Sequence, residues 1–93
     1  MACNLLPSFG FTVGEMVSLD PLWMHESGWS TSAANSSGAY GIPQALPGSK
    51  MATYGDDWRT NAATQISWGL SYIKGRYGTP AAAWAHFRAY NWY

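Results

Sequence analysis

Ile66, Leu70, Ile73 and Tyr77 step by four, three and four along the chain. That spacing falls on one face only in an α-helix. The run is also bounded as a helix is. Thr60 or Asn61 can accept a hydrogen bond from the first free N–H groups, and Gly78 can adopt the left-handed conformation that closes a last turn. A helix over about 61–77 is therefore expected. Thr79-Pro80 then repeats the start signal, a capping hydroxyl followed by a first-position proline, which predicts another helix to about Tyr90. Period-two alternation is nowhere sustained, so the class expected is all-α.

The first half of the chain is helical from Val13. Leu19, Leu22, Trp23 and Glu26 share one face. Pro21 leaves two arrangements open. The helix runs through it and kinks, or a new helix begins with Asp20 as its cap and Pro21 in its first turn. Gly28 is the expected stop. Residues 30–41 are Ser, Thr, Asn, Ala and Gly with few large side chains, which is loop composition. Pro43 and Pro47 permit only short helical turns through 42–53, and Gly55-Asp56-Asp57 reads as a turn. Residues 1–12, with Pro7 and Gly10, read as an N-terminal arm. Residues 13–93 read as the functional domain.

Charge narrows the partners. Only 11% of the 93 residues are charged, and Lys+Arg and Asp+Glu balance at 5 each. Phosphate backbones and anionic membranes call for clustered Lys and Arg, so neither nucleic acid nor a membrane is expected as partner. A neutral, hydrogen-bonding ligand such as a sugar suits this surface better. The chain has 6 Trp, 6 Tyr and 3 Phe. Most should fill the core, leaving two or three to line a groove. Cys3 stands alone and cannot form an internal disulfide. Residues 1–19 show no export signal and no stretch approaches membrane-span length. The chain reads as one domain of a longer protein, and a monomer when isolated.

Among the acids, Glu26 stands out. It continues an apolar stripe at the C-terminal end of its helix, where desolvation and the negative helix end both disfavour a carboxylate. A raised pKa suits a group that gives and takes a proton. Metal and phosphate chemistries find no footing. His25-Glu26 resembles a zinc-protease start, but Trp29 stands where the second His is needed. His86 alone makes no metal site. Gly48-Ser49-Lys50 lacks the spaced glycine and the following Ser or Thr of a phosphate loop. No metal and no cofactor is expected.

His25-Glu26-Ser27-Gly28-Trp29 resembles the Glu-Ser motif that opens the SLT-type lytic transglycosylase domain of the goose-lysozyme-like superfamily. Gly38-Ala39-Tyr40-Gly41-Ile42-Pro43-Gln44 resembles that family's second motif, Gly-Ala-x-Gly-Leu-Met-Gln. Asn61 to Gly78 resembles its next helix, and Ala89-Tyr90-Asn91 its Ala-Tyr-Asn motif. Gln44 through Met51 and Trp84-Ala85-His86 are most similar to forms in actinobacteria and their phages. The resemblance covers about residues 16–93.

It implies a small lysozyme-like helical domain with a saccharide groove, acting on peptidoglycan glycan strands. It also implies roles for particular residues. Glu26 matches the catalytic acid/base. Gln44 matches the glutamine ending the second motif, and Asn35, Ser37 and Tyr40 lie on the loop that walls the groove. Tyr90 matches the tyrosine beside the glutamate in one alignment, and His86 takes that place in the other. The chain departs from the family at three points. Ala81 stands where many relatives have a half of a disulfide, Pro43 replaces a common methionine, and Pro21 is unusual within the first helix.

Ordinary glycosidases set two carboxyls across the bond. Here Glu15 and Asp20 lie upstream on or near the helix of Glu26, while Asp56 and Asp57 sit in a turn where capping is the ordinary role. The family's mechanism needs only one acid. Glu26 would protonate the leaving oxygen, the substrate's N-acetyl group would stabilise the sugar cation, and Glu26 would then take a proton from the sugar's primary hydroxyl as an anhydro ring closes. Two alternatives stay open: a muramidase using Asp56 or Asp57 to deliver water, and a non-catalytic glycan-binding or structural module of a phage tail protein. The expected place of action is the cell wall, reached from outside the cell or from a virion.

Overall fold

The computed structural model describes residues 1–91. Helices run over Ala2–Leu5 (α1), Met16–Ser27 (α2), Ala62–Arg76 (α3) and Pro80–Tyr90 (α4), with 3₁₀ turns at Leu6–Phe9, Val13–Glu15 and Gly48–Tyr54. Among the described residues there is no strand, only isolated bridges pairing Tyr40 with Ala34 and with Ala45. The all-α expectation holds.

The two later helices form where their signals put them. Asn61, not Thr60, caps α3, its Oδ1 accepting from the Ala63 N–H at 2.9 Å. Ile66, Leu70 and Ile73 are buried along the expected stripe, and Tyr77 packs against the same core. Gly78 closes the helix, with φ +89° and its N–H on the Ile73 carbonyl at 2.9 Å. Thr79 then caps α4 by accepting from the Ala82 N–H at 3.1 Å, with Pro80 at the first position.

Of the two arrangements open at Pro21, the continuous helix is the one formed: α2 runs through the proline. Leu19, Leu22 and Trp23 are all fully buried, and each such burial contributes about 1.5–3 kcal/mol. That helps offset the hydrogen bond the proline cannot make. Asp20, not needed as a cap, accepts from the Trp29 indole N–H at 2.7 Å. Gly28 ends the helix in the left-handed region, bonded to the Trp23 and Met24 carbonyls.

Residues 1–12, the N-terminal arm, pack on the rest of the chain. Ala2, Leu6 and Phe11 are buried in the same core as α2 and α3, so this segment is folded onto the domain. It had no period to reveal it, because α1 and the turn after it are only four residues each.

Two contacts fix the layout around Glu26. Gly69 of α3 meets Trp23 of α2 so closely that a Cβ there would lie 2.5 Å from the indole Cζ2 and 2.9 Å from the Pro43 Cβ. On the other side of α2, His25 stacks on Trp84 of α4 at 5.6 Å between centroids, with Phe87 beside it. Among the described residues no helix is long and apolar enough to cross a membrane.

Candidate active site

Glu26 sits in the last turn of α2, half-buried, one residue before the end of the helix. It opens on a groove of about 340 Å³. The loop after α2 supplies Pro43, Gln44 and Leu46 to the groove, the 3₁₀ segment Gly48–Tyr54 supplies Lys50, and α3 supplies Trp68, Tyr72 and Arg76. Burial pushes the Glu26 carboxyl up from 4.5 to about 7. The expected direction is met, and desolvation is the cause. At that value the group is poised to lose and regain a proton near neutrality.

The loop that carries Gln44 is held from below by Gln65, a fully buried residue of α3. Its Oε1 accepts from the Ile42 N–H at 2.9 Å, and its Nε2 donates to the carbonyls of Thr31 at 2.9 Å and Trp58 at 2.7 Å. One amide thus ties three loop segments together. Gly41 makes room for it, since a Cβ at that position would lie 2.5 Å from the Gln65 Oε1. Gln44 itself has φ +55°, and its Nε2 donates to the Ala33 and Gly41 carbonyls at 3.0 and 2.9 Å.

Of the residues the sequence nominated, the structure brings Glu26 and Gln44 together in the groove. The others lie elsewhere. Asn35 is exposed, and its Oδ1 accepts from the Ser37 and Ala39 N–H groups at 2.9 and 3.2 Å, which shapes the loop. Ser37 is exposed on that loop. Tyr40 turns away, its hydroxyl donating to the Arg59 carbonyl at 2.8 Å and its ring edge-on to Trp58. His86 lies between Tyr77 and Tyr90, at 5.2 and 4.8 Å between ring centroids. Tyr77 in turn meets Tyr72 of the groove at 6.3 Å between ring centroids. Tyr90 is largely exposed.

Trp68, Tyr72, Arg76 and Lys50 line the groove without having been nominated. The first three step by four and four on α3, a second stripe beside the buried one. That spacing was the available signal. Trp68 and Tyr72 stack at 5.2 Å with 16° between their planes. Burial pushes the Tyr72 phenol up, and the Arg76 guanidinium acts against that.

Among the described residues no second carboxyl lines the groove. Asp57 is engaged at the head of α3, accepting from the Asn61 amide at 2.8 Å and the Thr64 hydroxyl at 2.9 Å. These bonds hold its carboxyl below the ordinary value. Among the described residues no group of three His, Cys, Asp or Glu side chains could hold a metal ion. A second cavity of about 300 Å³, bounded by Met16, Trp29, Ile42 and Ile66 together with the first three residues, presents no carboxyl.

The arrangement offers one acid/base, an aromatic wall and hydrogen-bonding groups along an open groove. A family model described as the transglycosylase SLT domain matches residues 17–92. No curated protein and no solved structure matches the chain.

Proposed function

The chain belongs to the transglycosylase SLT domain family, and on that premise we propose that it cleaves the MurNAc–GlcNAc bond of peptidoglycan with formation of 1,6-anhydroMurNAc. Glu26 is the single general acid and base in this reading. One observation carries it: among the described residues Glu26 is the only carboxyl lining the groove, and its pKa is pushed to about 7.

Below that value Glu26 holds the proton that the leaving glycosidic oxygen needs. Once the bond breaks, the same carboxylate accepts the proton of the sugar's primary hydroxyl as the anhydro ring closes. The proton count balances over the cycle, and no water enters the product. A single group can serve both steps because its pKa lies near the pH at which both protonation states are populated. The stacked pair Trp68–Tyr72 presents an apolar face suited to the C–H face of a sugar ring. Asp56 and Asp57 are not among the residues lining the groove, and Asp57 is engaged with Asn61 and Thr64 at the head of α3, which counts against the hydrolytic alternative. The work site is then the cell wall, approached from a secreted or a virion-borne protein. Resemblance in sequence supports that placement.

The test is the Glu26→Gln chain acting on purified wall. Removing the general acid should lower the rate of wall solubilisation by about 10²-fold or more. Equal rates for the variant and the parent would remove Glu26 from the chemistry and favour a non-catalytic module.

A further inference from the structure

Ile42 is gripped from two helices. Its N–H goes to the Gln65 Oε1 of α3, and its carbonyl accepts from the hydroxyl of Ser27, the neighbour of Glu26 on α2. Pro43 and Gln44 follow directly, and both line the groove together with Glu26. The wall and the acid are therefore connected through one residue.

The segment from Tyr40 to Ala45 closes as a short hairpin, with backbone hydrogen bonds between these two residues in both directions. Pro43, at its tip, has no N–H to give. Two contacts four residues apart, about one helical turn, seat the hairpin on α3. At Gly41 a Cβ would lie 2.5 Å from the Gln65 Oε1 and 2.7 Å from its Cδ, and at Gly69 a Cβ would lie 2.9 Å from the Pro43 Cβ. The Gly69 contact sets how near the hairpin comes, but van der Waals contact has little direction. Hydrogen bonds have direction, so the Gln65 amide sets where along α3 the Ile42 peptide stands.

A simpler account is that Gln65 only helps the chain fold. A buried amide with its oxygen and both hydrogens engaged is a modest source of net stability and a strong source of fixed geometry. The geometry fixed here is that of the residue joining Ser27 to Pro43.

We propose that Gln65 is a positioning residue for the reaction, which sets Pro43 and Gln44 in register with Glu26 through the Ile42 N–H. This rests on Glu26 being the acid that works in the groove. Gln65 is not among the residues lining the groove, so it acts through the hairpin and not on the substrate. Misplacing a group at a reacting centre by about 1 Å can lower the rate by about 10²-fold. Trp68 and Tyr72 stand on α3 itself, so strand binding through them should outlast a shift of the hairpin.

The test measures kcat and KM on soluble glycan strands, at a temperature well below each variant's melting point. Gln65→Met keeps the length of the side chain and removes all three bonds. It should lower kcat by about tenfold or more and change KM by less than about threefold. Gln65→Asn is a milder variant, used in its place if Gln65→Met does not fold. One methylene shorter, it loses the Ile42 N–H or draws the hairpin toward α3, and kcat should fall in both cases. Gln65→Glu is the conservative rescue. A carboxyl keeps an oxygen for the Ile42 N–H in either protonation state but cannot donate to both the Thr31 and Trp58 carbonyls. It should melt below the parent and yet keep kcat within about threefold of it.

A folded Gln65→Met or Gln65→Asn chain with the parent's kcat would overturn the proposal. A rise in KM with kcat unchanged would overturn it too, because Gln65 would then serve strand binding. So would a Gln65→Glu chain that loses as much kcat as Gln65→Asn, or failure of all three to fold. Glu26→Gln is run beside them. If it also keeps the parent's rate, the reading of the groove as the catalytic site fails, and the positioning role fails with it. If Glu26→Gln is inactive while the folded Gln65 variants match the parent, the positioning role fails alone.

Discussion

Ser27, the residue after Glu26, donates a 2.7 Å hydrogen bond to the carbonyl of Ile42. This bond joins the end of α2 to the loop that supplies Pro43 and Gln44, so the acid and the groove wall are held in register by adjacent residues. The serine of the Glu-Ser pair is thereby explained as a tether between the chain's two motifs. It need not touch substrate.

Ser27→Ala should therefore cost about 1 kcal/mol of stability, because the Ile42 carbonyl loses its partner. Wall solubilisation should fall several-fold with the Glu26 pKa limb unmoved. Urea denaturation and a pH–rate profile measure the two. Unchanged stability and rate would show that the tether is idle.

Gly69→Ala should destabilise the chain by about 1–3 kcal/mol, the usual effect of overpacking. The added methyl meets two groups that cannot easily give, the Trp23 ring and Pro43. Pro43 lines the groove, so activity should fall further than stability alone explains. A thermal melt paired with a rate measured well below the melting point tests this. A variant as stable and active as the parent would contradict the close approach.

Asp57→Ala should lower the melting temperature and leave the product unchanged. Its carboxylate holds Asn61 and Thr64 at the start of α3. Because these bonds lower its pKa, their contribution is present above the ordinary Asp range and is lost as pH falls through the folded-state value. Loss of wall cleavage in a folded Asp57→Ala chain would instead restore the two-carboxyl reading.

Glu26 has the opposite sign. Its folded-state pKa, about 7, lies above the ordinary 4.5. Between those values the folded chain binds more protons than the unfolded one, so stability falls as pH rises across that window. Glu26→Gln removes the effect. The variant should match the parent below pH ~4.5 and exceed it above pH ~7, by about 1–2 kcal/mol once solvent screening is allowed for. Melting curves across that range decide it, and a constant gap at every pH would contradict the burial of the carboxyl. Activity should likewise fall as pH rises through about 7.

The helices were legible because their signals are local. The stripe of Ile66, Leu70 and Ile73, the caps at Asn61 and Thr79, and the stops at Gly28 and Gly78 each depend on neighbours within a turn or two. The place of Glu26 followed from the same periodicity. The groove walls did not, because they arise where separate elements meet. Lys50 reads as an ordinary solvated lysine until the 3₁₀ segment is set against α3. Trp68, Tyr72 and Arg76 form a mixed stripe that passes for a helix's outer face. Conversely, Asn35 and Tyr40 have side chains rich in hydrogen-bonding groups, and the loop uses those groups to hold its own shape. Nothing in residue type distinguishes a polar group used by the loop from one offered to a ligand.

The most direct test of the account is the mass of the products released from purified peptidoglycan by the wild-type chain. With Glu26 acting alone and closing the ring, muropeptide ends should be one water lighter than reducing ends. Glu26→Gln should release almost none. Reducing ends alone from the wild-type chain would contradict the single-carboxyl mechanism.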